Sequence, residues 1–314
     1  MFLTILLSSF LTLVELNCEN LFDTCHDVGK EDTEFLPDGT HHWSSVRYWS
    51  KQNRIAQEIL SCSDGLPDLV ALIEVENDTV LHDLTHRSLL RNAGYEYLMT
   101  ESPDLRGIDV ALLYQPAIFR PLCYDCLEVP PLSGMRPTRD ILYVRGCCSN
   151  GDTLNVFVVH SPSRYGGERL SRPNRRQVVI QLQHKLAELG PTAHVIITGD
   201  FNDYCDSPAL MELCTLGLRN ITCDARGLHG VASGTYRYRG EWHSLDHVFV
   251  SSLLYNKVDA AYINDAPFLL EDEPLYGGKR PFRTFQNYRY QPGFSDHLPL
   301  VVRFVMDKDV KLSL

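Results

Sequence analysis

His194-Val-Ile-Ile-Thr-Gly-Asp-Phe-Asn-Asp203 is an apolar run that ends in a glycine, an acid and an amide. Its first five residues have strand length and β-rich composition. Gly199 lets the backbone turn, and the alternate residues Asp200 and Asn202 can then face one side. A strand hides its middle in a core and exposes its tip. A polar cluster at the tip is therefore held by a rigid scaffold. Asp200 suits orienting or deprotonating a water, and the Asn202 amide can donate to a phosphate oxygen without adding negative charge.

Five further segments repeat the placement. They are Asn17 to Glu19 in LNCEN, Glu74 in ALIEVEN, His160 in VVHSPS, Asp246 in SLDHVFV, and Asp296 with His297 in FSDHLPL. A carboxylate such as Glu74 at the end of a buried strand suits a hard divalent cation. A histidine held by a carboxylate is a good acid or base near neutral pH. Neighbours in a strand point to opposite faces, so Asp296 is a poor partner for His297. The better pairing runs between segments, from Asp246 to His297. His160 would then stand on the opposite side of a phosphate, and His247, turned away from Asp246, is read as structural.

The chain has 314 residues with a formal net charge of −11. That charge argues against a protein that coats nucleic acid through a basic face. It leaves room for an enzyme whose acidic site binds cations. Ten cysteines are scattered, with Cys123 and Cys126 the sole CxxC pair, which suits free thiols better than a zinc site or a disulfide framework. Residues 1–13 are apolar but too short to span a bilayer, so no integral membrane segment is expected. They lack both the basic start and the cleavage site of an export signal, leaving the location open between cytoplasmic and exported.

Strand-length apolar runs recur at 11–16, 69–73, 95–99, 110–114, 141–144, 154–159, 194–198, 247–250, 258–263 and 298–305. Helical patterns lie between some of them. One is capped at Ser50, one at Asn77 or Asp78, and one runs over 171–189 with Pro173 in its first turn and Gly190 after its end. Many strands with few intervening helices predict two packed sheets with helices outside, not a βα barrel. No linker divides the chain. The reading is one domain over 10–306, an apolar extension at 1–9, a tail at 307–314, and a surface loop over 264–292. A monomer is expected.

Taken together, GDFN and SDH in this order, with an upstream strand-end Asn and Glu, resemble the endonuclease/exonuclease/phosphatase superfamily. Within it they are similar to uncharacterised bacterial members that open on Asn-x-Glu-Asn-Leu-Phe-Asp. The resemblance covers about residues 11–305. It implies the DNase-I-like fold, an α+β four-layer α/β/β/α sandwich of two mostly antiparallel sheets. It implies Mg²⁺, with Mn²⁺ or Ca²⁺ as substitutes, with Glu74 as its main ligand, Asn17 helping to hold it and Asp296 at a second metal position, one ion or two being left open. His160, Asp200, Asn202, Asp246 and His297 would carry hydrolysis of a phosphate ester.

Deoxyribonuclease-like members also support the phosphate-facing histidine with a Glu, for which Asp109 is the nearest candidate here. Arg136, Arg139 and Arg164 are candidate phosphate clamps, and Trp242 could stack on a base or sugar. The leading expectation is a phosphodiesterase or nuclease, with nucleic acid as a possible partner. The alternatives are a phosphomonoesterase on inositol phosphates or nucleotides, a sphingomyelinase-type phosphodiesterase, and a binding module that has lost the chemistry.

Overall fold

The computed structural model describes the backbone of residues 3–164 and 166–312. Twelve strands build two sheets of six. The first sheet contains β1 (Leu3–Leu21), β2 (Leu69–Val75), β3 (Glu96–Met99), β4 (Asp109–Tyr114), β11 (Val258–Ile263) and β12 (Leu300–Leu312), in the order β11-β12-β1-β2-β4-β3. The second contains β5 (Phe119–Leu127), β6 (Ile141–Cys148), β7 (Thr153–His160), β8 (His194–Asp200), β9 (Leu218–Asn220) and β10 (Asp246–Ser251), in the order β5-β6-β7-β8-β10-β9. Only β1–β2 and β7–β8 pair in parallel within these sheets.

Alternation along each strand sorts side chains into three apolar clusters. Leu13, Ala71 and Leu112 of the first sheet meet Val144, Val156, Ile196 and Val248 of the second in a core between the sheets. The opposite face of the first sheet, with Val14, Leu72 and Leu113, packs against Ile55, Ile59, Val80 and Leu84 of two helices. The outer face of the second, with Phe157, Ile197 and Phe249, packs against Val178, Leu182 and Leu213 of two others. This is the expected α/β/β/α sandwich.

Helix α1 (Ser45–Leu60) starts five residues before the expected cap, because Ser44 caps it, and Ser50 lies inside. Helix α2 (Asp78–His86) is capped by Asn77, whose side chain accepts from the Val80 N–H at 3.0 Å. Helix α3 (Glu168–Leu189) also starts early, so Pro173 lies beyond the first turn, and Gly190 ends it with φ of 77°. Helix α4 is Pro208–Thr215.

Three other segments differ from expectation. Residues 3–8 of the apolar extension pair antiparallel with residues 307–312, so β1 and β12 run past the 10–306 limits read from the sequence. Strand β5 carries no apolar run, because its Arg, Pro and Asp break the pattern, as an edge strand's can. The 264–292 segment holds two short ribbons, 270–272 with 279–281 and 285–286 with 289–290, and buries Leu269 and Phe285.

Candidate active site

Register assembles the site. In the parallel pair β7–β8, His160 stands opposite Asp200, and in the antiparallel pair β8–β10, Asp200 stands opposite Asp246. Three adjacent strands thus set His160, Asp200 and Asp246 in one row at the sheet's end. Same-face neighbours across paired strands are close enough to interact directly. Gly199, one residue before, has φ of 140°, and an added Cβ would lie 1.9 Å from the Val159 carbonyl oxygen. No other residue fits there.

The first sheet contributes through two irregularities. Between Asn17 and Leu21 of β1, and between Ile73 and Val75 of β2, the register shifts. At these bulges Glu19, Asn20 and Glu74 take positive φ of 48°, 60° and 64°. Bulges re-aim side chains at strand ends, and left-handed backbone at non-glycine residues concentrates at functional sites. Asn202 adds a fourth, with φ of 50°.

The side chains interlock. Asn17 Nδ2 donates to Asp200 Oδ2 at 3.1 Å. Glu74 Oε2 accepts from the Asn20 N–H at 3.0 Å, and Arg106 Nη2 lies 3.3 Å from the same oxygen. His160 Nε2 is 3.8 Å from Glu74 Oε1 and 3.9 Å from Asp200 Oδ2. His297 Nδ1 lies 2.7 Å from Asp246 Oδ2, which also accepts from the Thr235 hydroxyl. Asn202 donates its own N–H to Asp200 Oδ1 at 2.7 Å and its Nδ2 to the Ser161 carbonyl at 3.0 Å. Asp296 is 3.0 Å from Arg283 Nη2, which also reaches Glu19.

The two site histidines are driven apart. Burial disfavours charge on His160, and Arg139 and Arg106 disfavour it further, so its pKa falls well below 6.5. Burial also opposes charge on His297, but the Asp246 charge and hydrogen bond, aided by Asp296 and Asp200, outweigh it and raise its pKa well above 6.5. Burial and the Asp246 charge push the Asp200 carboxyl up. For Asp296, burial is overcome by Arg283, His297 and Lys51, which hold its carboxyl low.

Several expected residues take other places. Asp109 does not support His160; its carboxylate accepts from the Thr100 hydroxyl at 2.6 Å and the Ser102 N–H at 3.0 Å. Its place at the start of β4 turns it towards Thr100 and Ser102. The neighbour of His160 is Arg139, with Nε 3.2 Å from Nδ1 and Nη2 2.9 Å from Nε2. A neutral imidazole has one lone pair, so one of these contacts is a hydrogen bond and the other nitrogen carries N–H. Trp242 packs against the inter-sheet core beside Arg237 and does not line the cleft. Arg136 lines the cleft but is forked onto Glu31 at 3.0 and 3.2 Å, and Arg164 is held by Glu168 at 3.0 Å. His247 faces away and bonds the Asp203 carbonyl.

Four residues were not singled out from the sequence. Glu15 is fully buried beneath the row. Burial, then the Asp246 and Asp200 charges, push its carboxyl far up. Among the described residues, neither of its oxygens, nor Asp246 Oδ1, has a hydrogen-bond partner. A proton on Glu15 lets it donate to Asp246. Its signal was available: it is the lone charge in an apolar run and shares strand parity with Asn17. Arg106 and Arg283 come from irregular segments, and buried Lys51 comes from α1, donating to Thr284 Oγ1 at 2.6 Å. None of these three carries a pattern signal.

The donor set suits a hard divalent cation. Ligand atoms of Asp200, Asp246 and His297 lie within 4.8 Å of one another, all buried, but His297 Nδ1 is engaged with Asp246, which leaves the neighbouring oxygen donors as the better cation ligands. Glu74 and Asp296 line the same cleft of about 1120 Å³. Mutual repulsion among these carboxylates is what a cation would relieve. No helix among the described residues is long and apolar enough to cross a membrane.

The chain matches the model of the Endonuclease/Exonuclease/phosphatase family over residues 12–307. No curated protein matches it. An endonuclease/exonuclease/phosphatase family protein from Bacteroides thetaiotaomicron superposes with a TM-score of 0.64 at 17% identity, covering 95% of this chain and 98% of that one. A mannosyl-6-phosphatase of the same organism gives 0.59 at 16%, covering 93% and 98%. The human Nocturnin catalytic domain with bound sulfate gives 0.57 at 18%, covering 96% and 97%. Identities this low carry the fold alone.

Proposed function

The chain belongs to the endonuclease/exonuclease/phosphatase family, and we propose that it is a divalent-metal-dependent phosphodiesterase acting by in-line attack of water on phosphorus. The observation that carries this is the His160–Asp200–Asp246 row with His297 bonded to its last member. Glu74, with Asn17 and Asp296, would hold the cation, and its all-oxygen donors favour Mg²⁺ over softer ions. When bound, the cation supplies charge neutralisation at the phosphate.

The chain's own residues then divide the work. Asp200, its carboxyl raised by burial and by Asp246, is the stronger base for it and takes the proton of the attacking water. Water oxygen bonds to phosphorus as the bond to the leaving oxygen breaks. Asn202 has a second Nδ2 proton beyond the one given to Ser161, and it donates to a phosphate oxygen. His297, cationic and oriented through Nδ1 by Asp246, presents Nε2 to the developing negative charge. Neutral His160 and cationic Arg139 meet the phosphate from the other side.

Hydrolysis of a bis-aryl phosphodiester tests this. Wild type should turn it over with Mg²⁺, and Asp200→Ala and His297→Ala should each lose about 10²–10⁴ of the rate. Full activity in either variant would sink the proposal. Release of free phosphate from monoesters, faster than diester cleavage, would favour a phosphomonoesterase instead.

A further inference from the structure

Resting on the phosphoesterase reading, we infer that the ester taken here carries one phosphate on an apolar group, and that the loop before β6 is the wall that receives that group. The first observation is charge. Five arginines line the cleft, Arg106, Arg136, Arg139, Arg164 and Arg283. Each is matched to a carboxylate: Glu74, Glu31, Asp104, Glu168, and Asp296 with Glu19, in that order. None of the five is left unpaired to track a chain of phosphates, as a polyanion groove requires, and a divalent cation held by Glu74 and Asp296 would add positive charge at one point only. The charge of −11 over the whole chain adds nothing in its favour. One phosphate is what the site can balance.

The second observation is the wall. Beside the polar floor, the same cleft is lined by Pro130, Pro131, Leu132, Met135 and Pro137, and by Leu170 of α3. Met135 and Leu170 are 43% and 61% exposed, so these are not core residues that happen to border a cavity. The loop is anchored, not loose. Val129 at its start is buried against the α3 side of the second sheet, Arg136 forks onto Glu31, and Arg139 at its end holds Asp104 at 3.6 Å. A turn from the Met135 N–H to the Leu132 carbonyl, at 2.8 Å, shapes its tip. Exposed apolar side chains on a loop anchored at both ends, beside a phosphate site, mark a surface meant to be covered by ligand.

Calorimetric titration with n-alkyl phosphates from ethyl to hexyl, in Mg²⁺, tests the wall without relying on turnover. Full burial of a methylene is worth about fourfold in affinity, so a half-open wall should give about twofold per methylene and about 16-fold over the series. Leu170→Ser with Met135→Ser should flatten the series; both side chains are exposed, so the fold should survive, as circular dichroism would check. A single-stranded oligodeoxynucleotide should bind more weakly than hexyl phosphate. A flat wild-type series, a series unchanged in the double variant, or tighter binding of the oligonucleotide overturns the inference. Chain-length dependence without metal-dependent hydrolysis would instead overturn the phosphoesterase reading and leave the wall standing.

Discussion

Replacing Asp246 by Asn isolates the charge that organises His297. The amide keeps the shape and can still accept from Thr235 and from His297 Nδ1, now 2.7 Å from Oδ2. What goes is the negative charge beside a buried imidazole. A hydrogen bond to a charged group contributes about 1.5–3 kcal/mol net, against about 1 for a neutral one. Relief of repulsion with Asp200 works the other way, and the new amide N–H can donate to Glu15. The expected loss is therefore near the low end of that difference, about 0.5 kcal/mol. Its pH dependence has a definite sign. The folded pKa of His297 lies above the unfolded value of 6.5. The contribution is thus complete below about pH 6.5 and fades as pH rises through the raised value. Urea unfolding at about pH 6 and about pH 9 should show the larger difference between wild type and variant at the lower pH. Proton NMR should show the His297 ring titrating lower in the variant. An unmoved titration, or a difference that grows with pH, would refute the reasoning.

Other outcomes follow from single contacts. Gly199→Ala places a Cβ against the Val159 carbonyl oxygen and should cost more than about 4 kcal/mol in chemical denaturation, or prevent folding. Arg175→Ala should cost about 3–5 kcal/mol by the same measurement, because it leaves Asp203 buried without its partner at 3.1 Å. His160 is held neutral, with its pKa below the unfolded 6.5, so stability should fall as pH drops beneath that value. His160→Gln should lessen that fall, as thermal melts across the range would show.

Much of this arrangement was legible because strand ends obey parity. Asp200 and Asn202 follow an apolar run, and the face argument that separates Asp296 from His297 leads directly to the Asp246 hydrogen bond. The layered fold was legible for the same reason, since each strand's two faces feed different clusters. What escaped lacks periodicity. Strand β5 is an exposed edge whose faces are not sorted by burial. Arg283 arrives from an irregular segment and is brought to Glu19 and Asp296 by tertiary packing alone. Asp109 carried the right charge on a neighbouring strand, but its place at the start of β4 turns it to Ser102. Trp242 lay close in sequence to Asp246, and a two-stranded ribbon directs it to the core. The helix starts were misplaced because Ser44 and Gly167 precede the first apolar position of each periodic pattern.

The most direct test of the account is a divalent-ion titration of diester hydrolysis. Protein stripped with EDTA should be folded and inactive, and Mg²⁺ should restore the rate in wild type but not in Glu74→Gln. An undiminished rate in EDTA, or full restoration in Glu74→Gln, would contradict the account.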